Sequence, residues 1–322
     1  MTDMAQYLGQ ELPKINAYID GQVAQLDEMV RPVAAHVLAA GGKRFRPFLT
    51  ILTARALGYA DDDIYPLACS LEFLHSATLL HDDILDSAEL RRGKKAAHII
   101  YSKAHTILAG DVLLGLANLL VAQYDIPSLV STLSEAVMRT CVGEIKEIAK
   151  TRSPKLDFDG YLEIITGKTA YLIQAASHCG AILSGADEEL VEAAAAFGLN
   201  QGIAFQLVDD AIDYESSEDT AGKPVGKDLR EGKLTLPLLL YLETLGPQER
   251  KDFDEKFSSD TLTDEQINAI IATIQESNLA GATRNKAAEY VEKARQALDK
   301  FPASMEKDIL QLSLPYVLAR KK

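Results

Sequence analysis

Cysteine is scarce in this chain, and the three present, Cys69, Cys141 and Cys179, are widely separated with no CxxC spacing. So sparse and odd a set excludes a disulfide framework and a zinc site, and it fits a reducing cytoplasm. A basic excess is also missing. The formal net charge of -14 would repel a phosphate backbone, so no nucleic-acid partner is expected. No apolar run reaches membrane-spanning length. Val112 to Ala122 is too short and reads as a buried helix, so no transmembrane segment is expected. Met1 to Gln10 carries acids and lacks the basic and apolar regions of a signal peptide, so none is expected. β-Branched runs with a period of two are scarce, which argues against a sheet.

Helical periodicity fills the space left by these absences. Leu67, Ser70, Leu71, Leu74 and Thr78 recur at three- and four-residue spacing, as do Leu190, Ala194, Phe197 and Gln201. Alanine- and leucine-rich stretches at Leu190 to Gly198 and Ala280 to Leu298 favour helix, and Thr263-x-x-Gln266 reads as a capping box. The fold class predicted is all-α. Breaks are expected at Ala60 to Pro66, Thr151 to Asp159, Glu215 to Lys233 and Gly246 to Asp260. None resembles an interdomain linker, so 1–322 reads as one domain. The Glu215 to Lys233 segment, rich in lysine and glycine between two apolar stretches, reads as a lid.

Two segments share one acidic pattern. Asp82-Asp83-Ile84-Leu85-Asp86 follows the apolar run ending Thr78-Leu79-Leu80-His81, and Asp209-Asp210-Ala211-Ile212-Asp213 follows Phe205-Gln206-Leu207-Val208. Residues four apart lie one above the other on a helix, so Asp82 pairs with Asp86 and Asp209 with Asp213. Stacked like charges are destabilising, and a divalent cation removes that cost. Oxygen-only ligands suit Mg²⁺, which keeps waters and takes substrate phosphate oxygens. Asp61-Asp62-Asp63 has no apolar lead-in and reads as a loop.

Cations accompany the acids. Gly41-Gly42-Lys43-Arg44-Phe45-Arg46-Pro47 opens an apolar stretch, where glycines admit a ligand and Lys43 and Arg46 suit a diphosphate. Arg91-Arg92-Gly93 follows Asp86 closely enough to reach metal-held phosphates. Lys168 lies in Thr166-Gly167-Lys168-Thr169, expected between helices, and Lys223, Lys227 and Lys233 populate the lid. His75 stands two helical turns before Asp82 on nearly the same stripe. Metal pulling on one diphosphate, with cations holding a second, is chemistry for ionising an allylic diphosphate in a dry cavity.

The motifs GGKRFRP, HDDILD with RRG, GKTA, FQLVDD with AIDY, and GKPVGKDLREGK with TLP resemble, in order and spacing, the trans-isoprenyl diphosphate synthases (polyprenyl synthetases). The resemblance implies an all-α isoprenoid-synthase fold, a helical bundle around a central apolar cavity, a homodimer, and three Mg²⁺ ions. It implies that Asp82 and Asp86 bind two ions and Asp209 the third, with Asp83, Asp210 and Asp213 supporting through water. Arg91, Lys168, Gln206, Lys223 and Lys233 would hold the allylic diphosphate, and Gly42, Lys43, Arg46, His75 and Arg92 isopentenyl diphosphate. Lys168, Thr169 and Gln206 fall at the family's catalytic positions, with Thr169 and Gln206 where the family stabilises the allylic cation. Lys94-Lys95-Ala96 after Gly93, and Ser102-Lys103, depart from the family's usual residues, and Arg320 stands near its C-terminal basic position.

Short-product members usually carry an aromatic residue five positions before the first aspartate, where this chain has Ala77, with Phe73 one turn deeper as a lower floor. A long product, hexaprenyl or beyond, such as a quinone side chain, is therefore expected. Geranylgeranyl or farnesyl diphosphate synthase is the alternative. A terpene cyclase would not need the Lys43, Arg46 and His75 set. A di-iron bundle would need a second motif like Glu72-x-x-His75, and a non-catalytic subunit would have lost aspartates.

Overall fold

The structure, a computed structural model, describes residues 2–39, 44–215 and 225–320. Almost every described element is a helix: α1 (Thr2–Ala24), α2 (Arg31–Ala39), α3 (Phe45–Ala56), α4 (Ile64–Leu85), α5 (Ala97–Tyr101), α6 (Lys103–Ala122), α7 (Pro127–Lys150), α8 (Phe158–Ile165), α9 (Tyr171–Leu183), α10 (Glu188–Glu215), α11 (Lys227–Arg230), α12 (Leu236–Thr244), α13 (Pro247–Ser258), α14 (Asp264–Glu276), α15 (Leu279–Asp299) and α16 (Met305–Leu318). A π-helical turn, Thr166–Ala170, joins α8 to α9. The only strands among the described residues are β1 (Leu90–Arg91) and β2 (Lys94–Lys95), paired antiparallel. The all-α expectation holds.

The chain divides into two compact units. The first comprises Met1–Val137, Ala175–Ala195 and Lys300–Leu312, the second Met138–Gln174, Ala196–Asp299 and Ser313–Lys322. In the first, α4 packs along α6 and α3, burying Leu67, Leu71, Phe73, Leu74 and Leu80. Gly110 lets α6 approach α4, since a Cβ there would lie 2.3 Å from His81 Nε2. In the second, the later half of α10 buries Ala204, Leu207, Val208 and Ala211 in a core shared with Tyr161, Leu229, Leu238 and Ile274.

Two expectations need correction. The break placed at Gly246 to Asp260 is the helix α13. Pro247 starts it, Glu249 accepts a hydrogen bond from the Gly246 N–H at 2.9 Å, and Phe253 and Phe257 stack one turn apart in the core. Charged residues dominate that stretch, but two buried aromatics suffice to seat it. The Val112 to Ala122 run is only part of α6, which by length and apolar composition is long enough to cross a membrane. It is buried on one side alone. Leu113, Ala117, Leu120 and Val121 turn inward, while Leu108 and Leu119 are each 61% exposed. Thr166 to Thr169 lies between helices as expected, in the wider turn that joins α8 to α9. The Thr263–Gln266 capping box is present as expected.

Candidate active site

Helix α4 ends in carboxylates. Asp82 and Asp83 occupy its last turn, and Asp86 caps it, donating its backbone N–H to the Asp82 carbonyl at 2.8 Å. A helix carries partial negative charge at its C-terminus, so three acids there add to an unfavourable field. Asp83 turns inward, 2% exposed, where Arg91 Nε donates to it at 2.8 Å and Arg91 Nη2 also bonds it. Arg91 ends β1, and the two-residue turn to β2 is Arg92-Gly93 with φ of 53° and 77°. That is the turn shape whose twist suits a hairpin, and it fixes Arg91 against α4. The Lys94-Lys95 departure is thus accommodated as the second strand.

A basic group surrounds His75 in the same unit. Burial pushes the His75 pKa well down, and Arg46, Arg92 and Arg91 push it further, so the imidazole is neutral. Burial likewise lowers Arg46, down to about 10, and Arg46 Nε is a buried donor without a hydrogen-bond partner. Arg44, left-handed at φ 48°, closes the entry to α3 by bonding Glu72 at 2.8 Å, Asn16 at 3.1 Å and the Leu38 carbonyl at 2.9 Å. Glu72 is thereby an ion-pair partner, not half of a di-iron motif. Gly42, Lys43 and Lys223 lie outside the described residues. Ala77 and Phe73 are both buried in α4, one turn apart.

The second acidic group ends α10, in the other unit. Asp209 pairs with Arg320 at 2.6 Å, and the Arg320 guanidinium stacks 3.9 Å over Phe205. Asp210, 3% exposed, accepts from Tyr161 Oη at 2.5 Å and Gln206 Nε2 at 2.8 Å. Burial pushes its carboxyl up to about 7. Asp213 accepts the Asp228 N–H at 3.0 Å, tying α10 to α11. Burial, then Asp213 and Asp210, hold the Asp228 carboxyl well above the ordinary range.

The π turn presents Lys168 and Thr169 to this group. Glycine makes the approach possible: a Cβ on Gly143 of α7 would lie 2.4 Å from the Lys168 backbone nitrogen. On the other side a Cβ on Gly202 of α10 would lie 2.7 Å from Ala170 Cα. Lys168 Nζ reaches Glu147 at 2.5 Å and Glu144 at 3.1 Å. Burial works against its charge, but the two glutamates hold its pKa above the usual lysine value. Lys233 Nζ lies 3.1 Å from Glu231 and 3.6 Å from Glu147. Thr169 Oγ1 donates to Gln206 Oε1 at 2.7 Å. A pocket of about 110 Å³ opens among Glu147, Lys168, Gln206, Asp210, Asp228 and Lys233.

The second unit therefore gathers Lys168, Gln206, Asp210 and Lys233 around one pocket, and the first gathers Asp83 with Arg91 and Arg46 with Arg92 and His75. Sequence reasoning missed Tyr161, Glu144, Glu147 and Asp228. Only Asp228 had a signal, its place inside GKPVGKDLREGK. The others are set by helix crossings that local spacing does not encode.

Comparison with known proteins agrees with this arrangement. The polyprenyl synthetase family model matches residues 27–274. An octaprenyl diphosphate synthase of Haemophilus influenzae is 33% identical over 307 residues, covering 95% of this chain and 93% of its own. A geranylgeranyl diphosphate synthase of Methanosarcina mazei is 31% identical over 328 residues, covering 99% of each. The crystal structure of a Caulobacter crescentus polyprenyl synthase, complexed with calcium and isoprenyl diphosphate, superposes with a TM-score of 0.92 at 38% identity, covering 100% of this chain and 98% of that one. With its fold, its paired acidic helix ends and its relatives in agreement, the chain belongs to the polyprenyl synthetase family, the trans-isoprenyl diphosphate synthases, and is a prenyltransferase.

Proposed function

We propose that this prenyltransferase is a magnesium-dependent (all-E) polyprenyl diphosphate synthase. It joins isopentenyl diphosphate 1'-4 to an allylic diphosphate and makes a product of hexaprenyl length or longer. The observation that carries the reading is the pair of long helices, α4 and α10, that each end in three aspartates against the helix dipole. Two such costs in one fold are offset by bound cations.

The donor sets fit magnesium. Among the described residues no three metal-ligating side chains converge into a cage. Mg²⁺ asks for few carboxylates and fills its remaining positions with water and phosphate oxygens. Asp82 and Asp86, and Asp209 with Asp213, would hold it, while Asp83 and Asp210 are held from behind by Arg91 and by Tyr161 and Gln206. The bound ions would supply Lewis-acid pull on a departing diphosphate.

The chain's own groups do the rest. Lys168, Lys233 and Arg91, with Lys223, bind the allylic diphosphate. Arg46, with its unpartnered Nε, His75 and Arg92 bind isopentenyl diphosphate with Gly42 and Lys43. Neutral His75 donates one N–H to that diphosphate. Thr169 and Gln206 face the carbon that becomes cationic.

The long product rests on Ala77, whose small buried side chain admits the growing prenyl chain until Phe73. We propose that residues 1–322 act as one catalytic domain, in a homodimer, in the cytoplasm. Leu108 and Leu119 of α6, and Met138 and Ile145 of α7, are apolar and exposed, as a subunit interface requires. Cys69, Cys141 and Cys179 form no disulfide, which fits a reducing compartment. The test is chromatography of products made from isopentenyl and farnesyl diphosphates with and without magnesium. Elongation past the C30 length supports the reading, and a C20 product would make the chain a geranylgeranyl diphosphate synthase.

A further inference from the structure

Four side chains of the second unit form one hydrogen-bonded line with a fixed direction. Both oxygens of Asp210 accept hydrogen bonds, Oδ1 from Gln206 Nε2 and Oδ2 from Tyr161 Oη. Gln206 must then turn its amide nitrogen toward Asp210, as it does at 2.8 Å, which leaves its carbonyl oxygen facing Thr169. Thr169 in turn commits its hydroxyl proton to that oxygen at 2.7 Å, so the lone pairs of its own oxygen are left outward. Reversing the amide would reverse everything downstream: Thr169 would present its proton instead of its lone pairs.

The line ends at Tyr161. Its hydroxyl donates to the second oxygen of Asp210 at 2.5 Å, and the Leu236 backbone N–H faces the same phenol oxygen, so the proton has one place to go. The residue is 2% exposed and sits on α8, one turn before the π turn that carries Thr169.

We infer that Tyr161 is a positioning residue for prenyl transfer: through Asp210 and Gln206 it sets the polarity of the Thr169 hydroxyl so that lone pairs, not a proton, meet the developing allylic cation. The inference rests on the proposed synthase activity and deepens it. Tyr161 lines the same pocket as Gln206 and Asp210, with its hydroxyl committed to Asp210. Its hydroxyl acts at a distance, by fixing which end of an amide faces which neighbour.

The experiment compares Tyr161→Phe, Thr169→Val and the double variant by steady-state kinetics with isopentenyl and farnesyl diphosphates and magnesium. Tyr161→Phe is expected to lose about 10- to 100-fold in kcat, with both KM values within about two-fold of wild type. The double variant is expected to lose no more than Thr169→Val alone, because the two act as a unit. Losses that multiply, or a loss confined to KM, overturn the inference. A second readout needs no turnover: calorimetric binding of a sulfur-linked, non-ionising farnesyl diphosphate analogue with magnesium. Binding by Tyr161→Phe within about two-fold of wild type is expected, whereas a ten-fold loss would make Tyr161 part of the diphosphate seat and overturn the relay. Site-specific 3-fluorotyrosine at position 161 keeps the hydrogen bond and is expected to retain wild-type kcat; an equal impairment there would overturn the inference even if the phenylalanine variant folds poorly. An inactive wild type removes the synthase reading and this one together, while an active wild type matched by Tyr161→Phe removes this one alone.

Discussion

Gly143 and Gly167 bring two backbones together without an intervening side chain: a Cβ built on Gly143 would lie 2.7 Å from Gly167 Cα and 2.6 Å from its carbonyl carbon. The contact seats the π turn on α7 and thereby aims Lys168 at Glu147. Because the obstructing atoms are backbone, they cannot swing aside. Gly143→Ala is expected to cost about 1–3 kcal/mol in stability, read as a lower melting temperature, and to reduce turnover by displacing Lys168. An unchanged melting temperature and unchanged kcat would show that the turn has slack.

Asp86 is exposed at the end of α4, where its charge opposes the helix dipole. Asp86→Asn is expected to lower turnover by at least about 100-fold while raising, or leaving unchanged, the melting temperature in chelator. Loss of both stability and activity would assign Asp86 a structural role in place of a metal-binding one.

Asp210 gives a pH dependence with a definite sign. An unfolded aspartate titrates near about 3.9, whereas burial pushes the folded group up to about 7. Between those values the folded chain keeps a proton that the unfolded chain has released. The contribution to stability is full below the lower value and is lost as pH rises through the upper one. In chelator, the melting temperature of wild type relative to Asp210→Asn is expected to fall from about pH 5 to about pH 8. A difference that rises over that range would mean a depressed carboxyl.

Ala77 is 3% exposed, with Phe73 a turn away on α4. Ala77→Phe is expected to shorten the product by several isoprene units, as measured by mass spectrometry of the dephosphorylated alcohols. An unchanged length distribution would move the floor of the cavity elsewhere.

The long helices and both aspartate groups were legible because each follows an apolar stripe at helical spacing, as Leu67 to Thr78 leads to Asp82. Helix α13 was not. Its interior is dense in Glu, Lys and Asp, and its burial rests on Phe253 and Phe257 alone. Nor was the exposed side of α6, since composition reports apolar residues without saying which neighbours cover them. The link from Tyr161 to Asp210 spans 49 residues and depends on how α8 crosses α10, which no local pattern records. Nor was the wide-turn geometry of TGKTA legible, because an inserted residue shifts the periodic stripe without ending the helix.

The hairpin at Leu90 to Lys95 divides labour between neighbours. Arg91, the last residue of β1, is locked onto Asp83, while Arg92, the first residue of the turn, joins Arg46 and Arg91 in the field that keeps His75 uncharged. One short hairpin thus braces a carboxylate and charges the surroundings of a histidine at the same time. Removing a single residue from the turn would break the Arg91–Lys94 register and so displace both arginines at once.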